Sequence, residues 1–179
     1  MLNTGPQKLA FYGGKKAIKF EKPHWKWPPQ SKEKLSSVLK YYQLGEKKNK
    51  FGYPEIVEKF EKEFARYLNV KFALTANSGT SCLRAAFFAI GIKPGDEVIA
   101  PALTFHATAT PILSLDAVPV IADCEEDTGN IDPISIEKNI TKKTVGIVVT
   151  HLCGHPCEMK KIIKIAKKYN LKLIEDCSH

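Results

Sequence analysis

Apolar and polar positions divide the chain into stretches of helical rhythm and short apolar runs, with the change of pattern just beyond Asn69. Residues 31–44 open on Ser31, a candidate N-cap, and set Leu35, Val38, Leu39 and Tyr42 on one helical face before Gly45 stops the helix. Pro54 opens a second helix whose apolar face is Val57, Phe60, Phe64 and Leu68, with Glu58, Lys59, Glu61 and Lys62 turned outward. From there on, short apolar runs alternate with helical ones, the pattern of βαβ units and a largely parallel sheet. It predicts strands near 72–76, 97–100, 118–121, 144–149 and 171–175, and helices near 80–90, 106–114, 133–139 and 157–168. Lys93-Pro94-Gly95-Asp96 is turn chemistry placed directly before a strand. Residues 1–30 are broken by Gly13-Gly14 and Pro28-Pro29 and read as an arm, with Trp25 and Trp27 as its apolar anchors or as core residues.

Composition narrows the class without naming a chemistry. A chain of 179 residues with 44% apolar and 26% charged residues has room for one substantial core. No run of about 18 apolar residues is present, and the first residues lack a basic-then-apolar secretory layout, so a cytoplasmic protein without a membrane segment is expected. Five cysteines at irregular spacing argue for reduced thiols over a disulfide framework. The formal charge of +8 admits nucleic acid, an anionic surface or an anionic small molecule as partner. The lysines are dispersed, as in Lys160, Lys161, Lys164, Lys167 and Lys168, which reads as a solvated helix face, and no nucleic-acid recognition motif accompanies them.

Three constellations carry candidate chemistry. Asn77-Ser78-Gly79-Thr80-Ser81 lies between an apolar run and a helix, where free backbone N–H groups and hydroxyls suit a phosphate, although Ser or Thr at a helix start also serves as a plain cap. It is neither GxGxxG nor a P-loop, which removes the simple dinucleotide and triphosphate readings. Leu171-Lys172-Leu173-Ile174-Glu175-Asp176 ends an apolar strand in two carboxylates, and in open α/β sheets ligands bind beyond the carboxyl ends of strands. Such an acid could hold a metal, orient a base, pair with a protonated heterocyclic nitrogen, or be only solvated. Pro101-Ala102-Leu103-Thr104-Phe105-His106 follows another strand, where an aromatic ring can stack on a flat cofactor or fill the core. A phosphate cradle, an aromatic face and an acid at strand ends together suit a flat, phosphorylated, basic heterocycle.

These residues carry a resemblance. Gly91-Ile92-Lys93-Pro94-Gly95-Asp96-Glu97-Val98-Ile99 followed by Pro101-Ala102-Leu103-Thr104-Phe105, then Asn130-Ile131-Asp132-Pro133, His151-Leu152-Cys153-Gly154-His155-Pro156 and Ile174-Glu175-Asp176-Cys177-Ser178-His179, resemble in order the DegT/DnrJ/EryC1/StrS sugar aminotransferases. The resemblance implies an α/β protein, a three-layer α/β/α large domain of a pyridoxal-phosphate enzyme over 31–179, incomplete at its C-terminal side and without the small domain. It implies that Gly79, Thr80 and Ser81 bind the cofactor phosphate, that Phe105 stacks on the ring, and that Asp176 pairs with the ring nitrogen. His179 matches a position, often Gln, that touches the ring's 3-hydroxyl. The implied reaction passes an amino group from glutamate or glutamine to a keto-sugar, often nucleotide-linked, or to a cyclitol ketone, in a homodimer. The family's Schiff-base lysine falls beyond the position of His179, so no catalytic lysine is assigned, and the same absence leaves a dehydratase branch and a non-catalytic short relative open.

A zinc module is the rival from another class. His151, Cys153, His155 and Cys157 alternate at two-residue spacing, with Cys177 and His179 further on, and would point the same way in an extended segment. No CxxC pair supports it, and no metal is assigned.

Overall fold

The computed structural model describes residues 32–37, 39–40 and 55–179. The chain divides at Lys59/Phe60 into two units, and all that follows about the sheet and the site concerns the second, Phe60–His179. The proposed arm, with Trp25 and Trp27, lies outside the described residues, as do Ser31, Val38, Tyr42 and Gly45 of the first predicted helix. Residues 32–37 and 39–40 of that stretch are helical.

Four strands, β1 (Glu97–Pro101), β2 (Val118–Ala122), β3 (Thr144–Thr150) and β4 (Lys172–Asp176), form one sheet in the order β2-β1-β3-β4, every pair parallel. Helices α1 (Glu55–Tyr67), α2 (Gly79–Ala89), α3 (Thr110–Leu113), α4 (Pro133–Lys138) and α5 (Met159–Lys168) complete the element order, with 3-10 turns at His106–Thr108 and Leu152–Gly154. A parallel sheet needs a crossover for each return, and the crossovers here cover both faces, so its central strands are apolar on both sides. Ile99, Ile147 and Val149 pack with Ile136 of α4 and Ile162, Ile165 and Ala166 of α5. On the opposite face Val98, Ala100, Val148 and Ile174 pack with Leu83 and Phe87 of α2 and Ile112 of α3. This is the expected three-layer α/β/α arrangement with a parallel sheet.

The local chemistry that ends each element is visible. Asp132 caps α4 by accepting from the amides of Ile134 and Ser135, just before Pro133 at the first turn, where its missing N–H is no loss. Gly95, at φ +82°, closes the turn before β1. Among the described residues no helix is long and apolar enough to cross a membrane.

Two expectations fail in the segment before α2. Residues 72–76 form no strand. A strand exists by pairing, and this segment joins neither edge of the sheet. Instead the Thr75 amide and hydroxyl both donate to the Glu61 carboxylate, at 2.6 and 2.9 Å. Helix α1 also does not bury its predicted stripe: Phe60, Phe64 and Leu68 are exposed, the two phenylalanine rings stacking on each other at 5.6 Å, while Glu61 and Ala65 are buried. The Glu61 contacts with Thr75 turn that face of the helix inward, against the hydrophobic pattern.

Candidate active site

The carboxyl ends of β1, β3 and β4 meet at a buried carboxylate. Side chains along β4 alternate, so Ile174 and Asp176 lie on the face covered by α2 while Glu175 points to the other. Asp176 is 7% exposed. Its Oδ2 accepts a hydrogen bond from the Thr108 hydroxyl at 2.8 Å. Its Oδ1 accepts from the Ser178 amide at 3.2 Å and the Ser178 hydroxyl at 2.7 Å. All three donors are neutral, and among the described residues no Lys, Arg or His forms an ion pair with it. A buried carboxylate whose donors among the described residues are neutral suits a site completed by a cationic ligand.

Phe105 stands in the connection after β1, between Thr104 and Thr108; the residue is 61% exposed, and its ring lies 4.1 Å from the His106 ring, centroid to centroid. Thr104 Oγ1 lies 2.8 Å from Thr108 Oγ1 and 3.0 Å from Thr150 Oγ1, so the Phe105 connection is tied to the ends of β3 and β4.

The third part is the start of α2. Ser78, in extended backbone, caps the helix by accepting from the Ser81 amide at 3.1 Å, and the two hydroxyls lie 3.0 Å apart. The amides of Gly79 and Thr80 have no partner among the described residues, and a Cβ added at Gly79 would meet nothing within 4 Å. Helix α2 packs on the His106–Thr108 turn, on α3 and on β4, so its open start is carried by the elements that hold Thr108 and Asp176.

His179 lies three residues past Asp176, and its Nδ1 accepts from the Cys153 amide at 3.1 Å. That bond leaves the proton of the neutral ring on Nε2, available to donate. The buried Asn130 side chain positions the loop on this side: it donates to the His155 carbonyl and accepts from the Leu152 amide, both at 3.0 Å.

The extended ligand segment of the zinc reading does not form. Leu152–Gly154 is a 3-10 turn with Cys153 at φ +52°, so the alternating side chains do not share a face. Both His151 nitrogens are engaged, Nδ1 accepting from the Cys157 amide at 3.1 Å and Nε2 lying 3.0 Å from Glu175. Among the described residues no cluster of three or more His, Cys, Asp or Glu could hold a metal ion.

Burial pushes the Cys157 thiol above its ordinary range, and its Sγ bonds the Thr150 carbonyl at 3.2 Å. Because the thiolate is the nucleophile, Cys157 is expected to alkylate far more slowly than the exposed Cys82 in timed iodoacetamide labelling read by peptide mass. Equal rates would show that the Thr150–Cys157 corner opens.

The threonines and Ser178 were not singled out from the sequence. Their local signals are the two-residue spacing of Asp176 and Ser178 and the four-residue spacing of Thr104 and Thr108, whereas Thr150 and Asp176 are 42 and 68 positions from Thr108.

The parallel α/β/α sheet thus brings an open helix start, an exposed aromatic ring and a buried acid to the ends of its strands, the place where open α/β sheets bind ligands. The chain belongs to the DegT/DnrJ/EryC1/StrS aminotransferase family, which matches residues 33–179. It is 43% identical over 122 residues to GDP-perosamine synthase of Escherichia coli O157:H7, covering 68% of this chain and 34% of that protein. It is 37% identical over 177 residues to a putative L-glutamine:3-amino-2,3-dideoxy-scyllo-inosose aminotransferase of Micromonospora echinospora, covering 97% of this chain and 41% of that one. Among solved structures, NtdA from Bacillus subtilis with bound cofactor PMP superposes with a TM-score of 0.72 at 36% identity, over 80% of this chain and 33% of that chain. The chain thus spans about a third to two fifths of the length of the curated relatives it matches.

Proposed function

We propose that the full-length protein is a pyridoxal-phosphate aminotransferase that passes an amino group from an amino acid, glutamate or glutamine, to a keto-sugar, often nucleotide-linked, or to a cyclitol ketone. The observation that carries this is Asp176, a buried carboxylate with three neutral donors and, among the described residues, no cationic partner. A protonated pyridine nitrogen is the flat cation that would complete it.

The other residues fit the same ligand. The open amides of Gly79 and Thr80, with the hydroxyls of Thr80 and Ser81, would hold the phosphate at the positive end of α2. Phe105 would cover one face of the ring and exclude water there. His179, its Nδ1 occupied by the Cys153 amide, would donate from Nε2 to the ring's 3-oxygen. When bound, pyridoxal phosphate acts as an electron sink for the carbanion at the substrate's α-carbon. Asp176 serves that chemistry by holding the proton on the ring nitrogen and keeping the ring cationic. No lysine of this chain is given the Schiff-base role.

The test is absorbance in the near-ultraviolet and violet after adding pyridoxal phosphate, on this chain and on the protein extended through the reading frame past His179, with borohydride trapping and peptide mapping. A trapped lysine adduct in the extended protein, with an aminated product formed from a keto-sugar and glutamate, supports the reading. A product that has lost water instead assigns the dehydratase branch, and absence of cofactor binding in both proteins overturns the proposal.

A further inference from the structure

Three threonine hydroxyls form a small closed group directly behind Asp176. Thr108 is fully buried and Thr150 nearly so. Their oxygens lie 2.8 Å (Thr104 to Thr108), 3.0 Å (Thr104 to Thr150) and 3.3 Å (Thr108 to Thr150) apart, and Thr108 lies 2.8 Å from Asp176 Oδ2. Each hydroxyl has one proton to give, and an ionised carboxylate can only accept. Thr108 therefore gives its proton to Asp176 and must accept from its neighbours. Thr104, at the shorter distance, donates to Thr108, and Thr150 donates to Thr104. The other assignment, Thr104 to Thr150 and Thr150 to Thr108, also ends on Asp176, so in either case every proton points toward the carboxylate.

Resting on the reading that Asp176 pairs with the ring nitrogen, we infer that the Thr104–Thr108–Thr150 hydroxyls are a one-way hydrogen-bond chain that fixes the aim of Asp176, with Thr108 as the positioning residue.

Lone-pair counting supports the role. A carboxylate offers about four acceptor sites. Thr108 and the two Ser178 donors take three of them, which leaves about one for a ligand N–H. A heterocycle with a single N–H in its plane is the ligand such a remainder fits. A chain of hydrogen bonds polarised in one direction strengthens its last bond, here the one that holds Asp176 Oδ2. The same chain brackets Phe105, since Thr104 and Thr108 bond across it, so ring stacking and nitrogen pairing are set by one rigid unit rather than by two independent loops. The ionisable neighbours do not substitute for it. Glu175 faces the other side of the sheet with His151, and the His179 ring is engaged by the Cys153 amide. The Cys177 thiol is pushed up, by burial first and then by the carboxylates of Glu175 and Asp176, and stays neutral beside them.

The experiment uses the full-length protein with pyridoxal phosphate carrying 15N in its ring, whose nitrogen signal reports whether the ring is protonated. In Thr108→Val, which keeps shape and removes the donor, the signal is expected to move toward the unprotonated ring, with cofactor binding about tenfold weaker, the scale of one lost charge-assisted hydrogen bond. Thr108→Ser is expected to restore both. A merely structural role would lower the melting temperature and leave the nitrogen signal in place, so an unchanged signal in folded Thr108→Val overturns the inference. If that variant does not fold, Thr150→Val decides: a shift in the same direction supports the chain and an unchanged signal overturns it. Asp176→Asn separates the two levels. A ring that stays protonated there removes the pairing itself, whereas loss of protonation in Asp176→Asn without any change in Thr108→Val removes only the chain.

Discussion

Replacing Asp176 with alanine in the full-length protein is expected to lower turnover by about three orders of magnitude while cofactor binding persists in part. The size follows from what is removed. Breaking a buried, hydrogen-bonded charge pair by deleting one partner typically costs about 3–5 kcal/mol, and each ~1.4 kcal/mol withdrawn from a transition state is tenfold in rate. Binding is expected to survive in part because the proposed phosphate cradle at Gly79–Ser81 and the proposed Phe105 stacking face are separate from the carboxylate. The substitution also strands donors: Thr108 and Ser178 lose their acceptor. A stability loss of about 1–3 kcal/mol is therefore expected beside the kinetic one. Turnover must accordingly be measured per bound cofactor on protein shown to be folded. Near-normal turnover on that basis would remove the ring-nitrogen role of Asp176, and with it the main support for the proposed chemistry.

Asp176 was legible in the sequence for a physical reason. An apolar run ending in two acids marks a strand that stops at its carboxyl end, and the period of two along β4 then puts one acid in and one out. The pattern alone did not say which, and it was the resemblance that chose Asp176; in the structure Thr150 pairs with Asp176 and Val149 with Glu175. The central strands were legible because parallel, doubly covered strands read as apolar runs rich in β-branched residues, as in Ile147 to Val149. The segment 72–76 had the same apolar look and formed no strand, since a run of residues states a propensity while a strand requires a neighbour. The threonine chain was illegible for a similar reason. A hydroxyl on Thr108 means nothing until folding brings Thr150 and Asp176 beside it. The zinc reading failed on backbone geometry, because two-residue spacing aligns side chains only in an extended segment and Cys153 sits in a turn.

Phe87→Ala is expected to be the most destabilising single truncation on the α2 face of the sheet, by about 3–5 kcal/mol in urea unfolding. Phe87 is fully buried among Leu83, Ile112, Val98, Val148 and Ile174, so deleting its ring removes both transfer energy and packing on every side. The next residue provides the control. Phe88 is 73% exposed on the same helix, with the same propensity, and its truncation is expected to stay within about 0.5 kcal/mol. The pair also connects packing to function. Phe87 seats α2 against β3 and β4, and α2 carries the Gly79–Ser81 cradle at its start, so a cavity at Phe87 should let the helix shift and weaken phosphate binding at a site that Phe87 does not touch. If the two truncations prove equal in stability, α2 is not seated as described. If Phe87→Ala destabilises while cofactor affinity holds, the cradle is fixed by the Ser78 cap and its own turn rather than by the helix that follows.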